Sequence, residues 1–271
     1  MSDFPSRRFP DTRDSPRLDR ARTGQSRQDF FEKLVVSAVF QPSVRVRTKE
    51  VVGFEALARF YNVGTDETPS PPQVLAHLPL PAHMKLLGIM IQLSLDFLHR
   101  MPVKHPVSVN VPPSVLSFGR VEDVFGKIPT EIRPYLKLEV LEHYVEDWKF
   151  LRASMLRLRK MGFSFYIDDF GSTEYQDFDW QLLLLPGVEK IKFDKVFVPS
   201  GNRQAREAHT RFLHAWATWL RYSGVKILIE GVEDEDGFSQ VAPLVDEVQG
   251  YFTGRPESAE TCLKTWWPGM R

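Results

Sequence analysis

The sequence predicts an α/β fold in which about eight strands close into a (β/α)8 barrel. Beyond residue 28, short runs rich in Val, Ile and Phe alternate with longer segments of helical character. Strands that alternate with helices indicate parallel βαβ units, and about eight such units fit a closed barrel. An open, doubly wound sheet is the competing architecture. No Gly-x-Gly-x-x-Gly run follows the first strand, so a dinucleotide-binding fold has no positive support.

The first 28 residues differ in composition from the rest of the chain. They combine Arg, Asp, Ser and Pro with hardly any aliphatic residue, and seven of them are arginines. Such a segment buries too little apolar surface to offset the entropy lost on ordering. We expect residues 1–28 to form a disordered tail, with an arginine-rich arm for a protein partner as the alternative. Residues 29–271 are expected to form a single domain.

Eight apolar runs have the length and composition of strands. They are rich in β-branched and aromatic residues, which favour extended backbone. The predicted strands are VVSAVFQP (35–42), EVVGFEALAR (50–59), HPVSVNV (105–111), YLKLEVLE (135–142), FSFYIDDF (163–170), VEKIKF (188–193), VKILIEGVE (225–233) and DEVQGYF (246–252).

Three long segments between these strands have helical character. They are AHMKLLGIMIQLSLDFLHR (82–100), VEDWKFLRASMLRLRKMG (145–162) and AREAHTRFLHAWATWLRYSG (205–224). Gly162 and Gly224 are predicted to end the last two helices and to turn the chain into the next strand.

The composition excludes several classes of protein. With 42% hydrophobic residues the chain can bury a core, and 35 basic against 35 acidic residues give no general field toward nucleic acid or membranes. A single cysteine rules out an intramolecular disulfide framework and a cysteine-based zinc cluster. No apolar run approaches the ~20 residues of a transmembrane helix, and no secretion signal is evident. We therefore expect a cytoplasmic protein without membrane insertion or nucleic-acid binding.

Polar side chains occur late in seven successive predicted strands, where folding alone would favour apolar residues. In a parallel barrel the carboxyl ends of the strands gather at one rim, where active sites are built. The predicted rim residues are Glu55, Asn110, Glu139, Asp168, Asp169, Lys192, Glu230, Glu233 and Gln249. A single buried carboxylate is weak evidence for a site, but this repeated pattern is strong evidence.

The chemistry of the rim residues predicts a site for hard divalent cations. Carboxylates and an amide, with no His or Cys among them, suit Mg²⁺ or Mn²⁺. The adjacent Asp168 and Asp169 can serve two ions, because one carboxylate can bridge while its neighbour binds a single ion. Two ions about 3.5–4 Å apart form the clamp that phosphodiester hydrolysis uses. Arg59 offers a planar fork for a phosphate.

Each of these residues also has a purely structural interpretation. Glu55 and Arg59 can form an ion pair, Asp168 and Asp169 can cap the end of a strand, and Lys192 can be a solvated side chain. The remaining charges of this region are interpreted as surface charges: Glu189, Lys190 and Asp194.

These residues lie in motifs that resemble the EAL family of cyclic di-GMP phosphodiesterases. The signature run is GFEALARF, preceded by FQP at 40–42. Further similar motifs, in the family's order, are SVNVPPSVL, LKLEVLEHYVED, YIDDFG, LLPGVEKIKFDKVFV, ILIEGVED and VQGYFTGRP. The resemblance covers roughly residues 30–258 and implies a modified TIM (β/α)8 barrel, here as a stand-alone EAL domain.

The resemblance implies a role for each rim residue. The implied metal ligands are Glu55, Asn110, Glu139, Asp168, Asp169 and Glu230, with Asp168 bridging two ions. The implied catalytic residues are Glu55, Lys192, Glu233 and Gln249, with Lys192 in contact with the attacking water. Glu142 is implied to brace the loop after Asp169 rather than to bind metal.

The resemblance also implies the substrate and the reaction. The implied substrate-binding residues are Gln41, Leu57 and Arg59, with Arg59 gripping a phosphate and Gln41 at the floor of the site. The reaction is hydrolysis of one phosphodiester bond, which opens cyclic di-GMP to linear pGpG. Two Mg²⁺ or Mn²⁺ ions are the implied cofactors, and Ca²⁺ is expected to be inhibitory.

The loop after Asp169 departs from the family's pattern. Where the family has Thr-Gly-aromatic-Ser-Ser, this chain has STEYQDFDW (172–180), so that Thr173 replaces a glycine. Threonine resists backbone conformations that glycine permits, so we expect a different path for this loop. Its residues Tyr175, Phe178 and Trp180 favour docking against a surface such as a second subunit.

The sequence therefore leaves three functional hypotheses open. The first is an active, metal-dependent phosphodiesterase, which the complete set of ligand residues favours. The second is a module that binds cyclic di-GMP without cutting it, which only the altered loop favours. The third is a scaffold that acts through protein contacts, against which the intact acidic rim argues. The expected partners are cyclic di-GMP and a second copy of the chain in a homodimer.

Overall fold

The computed structural model describes residues 33–76, 78–116, 121–141, 148–171, 185–199 and 203–268. Within these residues eight strands form a closed barrel in chain order. The strands are β1 Leu34–Arg45, β2 Val51–Asn62, β3 Val107–Val111, β4 Leu136–Leu141, β5 Ser164–Phe170, β6 Val188–Phe193, β7 Lys226–Ile229 and β8 Glu247–Gln249. The predicted closed barrel is confirmed, and the open sheet is excluded. The predicted tail lies outside the described residues.

The barrel departs from an all-parallel arrangement at its first strand. β1 pairs antiparallel with both β2 and β8, whereas the neighbours from β2 to β8 are parallel. The expectation of parallel units is therefore wrong for β1. Only residues 46–50 connect β1 to β2. A parallel connection needs a crossover of a dozen or so residues, so this short link can only form a hairpin.

Helices surround the barrel. They are α1 Pro71–Leu75, α2 Leu80–Arg100, α3 Pro113–Leu116, α4 Val121–Phe125, α5 Trp148–Lys160, α6 Arg203–Ser223, α7 Glu235–Val241 and α8 Ala259–Trp266. The three predicted helices correspond to α2, α5 and α6. Gly162 and Gly224 follow α5 and α6 with φ angles of 99° and 74°, which confirms their predicted role in ending these helices. In the described ranges, every helix is too short or too polar to span a bilayer.

The apolar core lies between the outer face of the barrel and the helices. In β4 the fully buried Leu136, Leu138 and Val140 alternate with Lys137 and Glu139. Because successive side chains of a strand point to opposite faces, the apolar residues face the helices and the charged residues face the barrel interior. Branched apolar residues fill the interior of an ordinary (β/α)8 barrel. The interior of this barrel is polar instead.

Candidate functional site

The polar interior of the barrel consists of two layers of side chains. The upper layer is Gln41, Glu55, Asn110, Glu139, Asp168, Lys192, Glu230 and Gln249. The lower layer is Ser43, Gly53, Ser108, Lys137, Tyr166, Lys190, Leu228 and Glu247. In each parallel strand the lower residue precedes the upper one by two positions, and in antiparallel β1 it follows by two. This spacing places both residues on the same face of their strand.

Lys192 is the centre of the upper layer. Its ammonium nitrogen Nζ lies within ion-pair distance of four carboxylates, from four different strands or strand ends. The distances are 2.6 Å to Asp168 Oδ1, 2.8 Å to Glu230 Oε1, 3.1 Å to Glu55 Oε2 and 3.3 Å to Glu139 Oε1. Lys192 is only 1% exposed. The interpretation of Lys192 as a solvated side chain is therefore wrong.

Glu55 accepts hydrogen bonds from two amides as well. Gln249 donates to Oε2 at 2.6 Å and Asn110 donates to Oε1 at 3.0 Å. Arg59 donates instead to the carbonyl of Ala58 at 2.9 Å, and its described contacts include no ion pair with Glu55. The structural interpretation of Glu55 and Arg59 as an ion pair is thus not supported.

Gln41 connects the upper layer to the loop after β8. Its side-chain amide donates to the carbonyl of Gly254 at 3.2 Å, while its oxygen lies 3.5 Å from the amide nitrogen of Gln249. The antiparallel direction of β1 brings Gln41 beside Gln249, because Ser43 and Gln249 are partners in the β1–β8 pairing. Gln41 thus lies at the floor of the site.

A backbone irregularity brings the adjacent Asp168 and Asp169 to the same site. In a regular strand two consecutive side chains would point to opposite faces. Here the pairing of β5 with β6 shifts between Ile167 and Phe170, and Asp169 has a φ angle of 52°. A left-handed residue at a bulge re-aims its side chain, and Asp tolerates this conformation better than most residues. Both carboxylates therefore line the same cleft.

The carboxylates form two groups with the geometry of metal-ligand sets. Oxygens of Glu55, Glu139 and Asp168 lie within 4.8 Å of one another, as do those of Asp168, Asp169 and Glu230. Asp168 belongs to both groups. Two further oxygens, Asn110 Oδ1 and Glu139 Oε2, are buried without a hydrogen-bond partner. Buried oxygens normally have a partner, so these atoms fit a cation better than a purely structural role.

The floor of a cleft of about 560 Å³ is formed by six residues of the upper layer: Gln41, Glu55, Asn110, Asp168, Glu230 and Gln249. Leu57 and Arg59 lie on its wall, and the exposed Glu233 lies on its rim. On the side of α1 and α2 the cleft has an apolar wall, with His83 beside it. The wall is formed by Pro71, Leu75, Leu86, Leu87 and Met90. The cleft thus combines an acidic floor, one arginine and a large apolar surface.

Burial and crowding of like charges shift the pKa values of the cluster. Burial raises the pKa of Glu139 and of Glu230 well above the ordinary value, although Lys192 opposes the shift. Burial and then Asp168 raise the pKa of Asp169 to about 7. Burial also acts to raise the pKa of Glu55, but Lys192 and the two amides lower it below its ordinary value. The single positive charge of Lys192 therefore cannot balance the negative charge of the carboxylates around it.

Some predicted residues lie outside the described part of the chain, and others were misinterpreted. Glu142 and the loop 172–184 lie outside the described part. Lys190 was interpreted as a surface charge, but it is buried and only 4% exposed. Asp194 is half-buried, accepts a hydrogen bond from the backbone of Val196 and lines the cleft. The position of Lys190 two residues before Lys192 was the available signal, because it places both lysines on one face.

The cleft also includes residues that the sequence did not single out for the site. These are Lys195, Tyr251 and the apolar residues of α1 and α2. They lie in loops and on helix faces without a distinctive pattern, so only the fold brings them to the site.

Comparison with known proteins gives one family match that covers most of the chain. The model of the EAL domain family matches residues 25–256. Among curated proteins, the probable cyclic di-GMP phosphodiesterase PdeB of Escherichia coli K12 is 28% identical over 178 residues, which are 63% of this chain and 34% of that protein. The chain spans about a third or less of the length of the curated relatives it matches.

Solved structures show the same fold. The PaMucR phosphodiesterase in complex with c-di-GMP is 26% identical, with a TM-score of 0.67, over 85% of this chain and 100% of that chain. A stand-alone EAL protein of Vibrio cholerae O395 in its c-di-GMP-bound form is 21% identical, with a TM-score of 0.68, over 83% of this chain and 94% of that chain.

Proposed function

Because this chain belongs to the EAL domain family, we propose that it hydrolyses cyclic di-GMP to linear pGpG with two divalent metal ions. The proposal is supported by the relatives described above, two of which are named as phosphodiesterases. The chemistry of the cleft supports it independently.

The observation that carries the proposal is the pair of carboxylate groups that share Asp168. A shared carboxylate suits a two-metal site, because it can bridge the two ions. The unpartnered Oδ1 of Asn110 adds one further ligand, and the unpartnered Oε2 of Glu139 belongs to a residue already in the first group. We assign Glu55, Asn110, Glu139, Asp168, Asp169 and Glu230 as the metal ligands.

Mg²⁺ or Mn²⁺ fits this set, since every donor atom is an oxygen. When bound, such ions polarise a phosphoryl oxygen and lower the pKa of a water molecule. Side chains of the protein supply the remaining interactions. Lys192 supplies a fixed positive charge at the floor of the site, and its proposed role is to hold the attacking water. Gln249 keeps Glu55 in place by its 2.6 Å hydrogen bond.

The walls of the cleft are proposed to bind the substrate. Arg59 presents a cation to a phosphate, and Gln41 and Leu57 lie near the same floor. Glu233 is exposed on the rim, so we assign it to the outer part of the metal and water shell. The apolar wall offers contact area for a guanine base, because aromatic bases gain from apolar burial.

The experiment that tests this function follows the product directly. Purified protein is incubated with cyclic di-GMP and Mg²⁺ or Mn²⁺, and pGpG is measured by chromatography. Glu55→Gln should abolish turnover because it removes a charged ligand. Glu131→Gln is the matched control, since Glu131 is an exposed glutamate.

Binding of cyclic di-GMP is measured in parallel by calorimetry. Turnover by the wild type and the control, but not by Glu55→Gln, supports the phosphodiesterase. Tight binding without any pGpG would replace it by a cyclic di-GMP receptor. A chain that neither binds nor cleaves the nucleotide would rule out both.

A further inference from the structure

A second buried ion pair lies in the lower layer, where the proposed reaction gives it no role. Lys190 Nζ is 2.6 Å from Glu247 Oε2, and the two side chains are 6% and 3% exposed. The ammonium of Lys190 also lies 4.3 Å from the centre of the Tyr166 ring. Lys226, which is 57% exposed, approaches Glu247 Oε1 at 3.5 Å.

This pair joins two strands that are not neighbours. Lys190 belongs to β6 and Glu247 to β8, and β7 lies between them in the barrel. Two residues further along the same strands, Lys192 and Gln249 meet on one atom, Glu55 Oε2, at 3.1 Å and 2.6 Å. The strands β6 and β8 are thus held together twice, once in each layer.

The two contacts differ in what a bound cation does to them. A metal ion held by Glu55 would compete with Lys192 and Gln249 for its carboxylate, so it would weaken the upper contact. The lower contact involves no residue of either ligand set and does not line the cleft. A buried ion pair adds little to stability compared with a well-packed apolar pair. Stability alone therefore does not explain the Lys190–Glu247 pair, and we look for its role in the geometry of the barrel.

We propose that Lys190 and Glu247 are positioning residues, whose ion pair holds β6 and β8 at the separation that keeps Lys192 and Gln249 directed at Glu55. This positioning role rests on the proposed function, because it concerns the geometry of the metal site. Neither residue touches a ligand of the site directly. Lys190 acts through Lys192, and Glu247 acts through Gln249, each two positions further along the same strand.

The test measures Mn²⁺ affinity in the full chain, from the spin-resonance signal of free Mn²⁺. Lys190→Met keeps the length of the side chain and removes its charge, and it should lower Mn²⁺ affinity about tenfold. Lys190→Met/Glu247→Met removes the whole pair and leaves no unpaired buried charge, so it should unfold at a temperature near that of the wild type. Its Mn²⁺ affinity should nevertheless be no better than that of the single variant.

The matched control is Lys226→Met. This substitution removes a charge beside the same carboxylate. Because the Lys226 side chain is 57% exposed, Mn²⁺ affinity should stay within about twofold of that of the wild type. A folded double variant that binds Mn²⁺ as tightly as the wild type would overturn the positioning role and leave the proposed function intact. A wild-type protein that binds no Mn²⁺ would overturn both.

Discussion

Lys192 shows most clearly how single residues determine the properties of this barrel. Its ammonium touches Asp168, Glu230, Glu55 and Glu139, and the side chain is nearly inaccessible to water. Burial acts to lower the pKa of Lys192, but the four carboxylates raise it well above its ordinary value. The lysine therefore stays charged and offsets part of the repulsion among the carboxylates.

Replacement of Lys192 should therefore destabilise the metal-free protein strongly. Lys192→Met leaves three buried carboxylates and the partly buried Glu230 without their cation. The loss of one partner of a buried ion pair costs about 3–5 kcal/mol. Denaturant unfolding measures this loss, with Lys149→Met as the control for an exposed lysine. Added Mn²⁺ should recover part of the stability, because it replaces the missing positive charge. An unchanged unfolding free energy without metal would contradict this account of the lysine.

Among the secondary-structure elements, the end of β8 is tightly constrained by backbone packing. Gly250 follows Gln249 directly, and a Cβ atom there would lie 2.2 Å from the carbonyl oxygen and 2.4 Å from the nitrogen of Val232. Backbone atoms cannot yield as a flexible side chain can. The amide that holds Glu55 is thus placed by a close approach of two backbone segments.

Gly250→Ala should consequently disturb both the fold and the site. We expect the free energy of unfolding to fall by several kcal/mol, or the protein to be insoluble, because the clash is with the backbone of Val232. Gly88→Ala is the matched control in the middle of α2, where an added Cβ meets nothing within 4 Å. The free energy of unfolding of Gly88→Ala should rise by about 0.5–1 kcal/mol, because alanine stabilises a helix more than glycine does. Equal stability of the two variants would show that β8 tolerates movement at this point.

The same elements show what the sequence could and could not predict. The eight strands and the rim residues followed from apolar runs with polar ends, and the structure brings these residues together around Lys192. The antiparallel direction of β1 was missed, although the short link at 46–50 indicates a hairpin. The burial of Lys190 can be inferred from its position two residues before Lys192, but the bulge at Asp169 depends on how neighbouring strands align. Residue types alone do not encode that alignment.

On the scale of the whole molecule, metal binding and folding should be coupled. Ions that bind only the folded chain stabilise it by about 2.7 kcal/mol at a concentration of 100 times the dissociation constant. Mn²⁺ and Mg²⁺ should therefore raise the unfolding temperature, and exhaustive chelation should lower it and stop turnover. Ca²⁺ should suppress turnover, because it accepts looser geometry and activates water poorly. Full turnover after exhaustive chelation would refute the metal assignment.

The most direct test of the central claim is to locate Mn²⁺ in crystals of the protein by anomalous diffraction. Two peaks are expected in the upper layer, about 3.5–4 Å apart as in other two-metal sites. One should contact Glu55, Glu139 and Asp168, and the other Asp168, Asp169 and Glu230, with Asp168 common to both. A protein that takes up no Mn²⁺ at these carboxylates, or takes it up only elsewhere on its surface, would contradict the account.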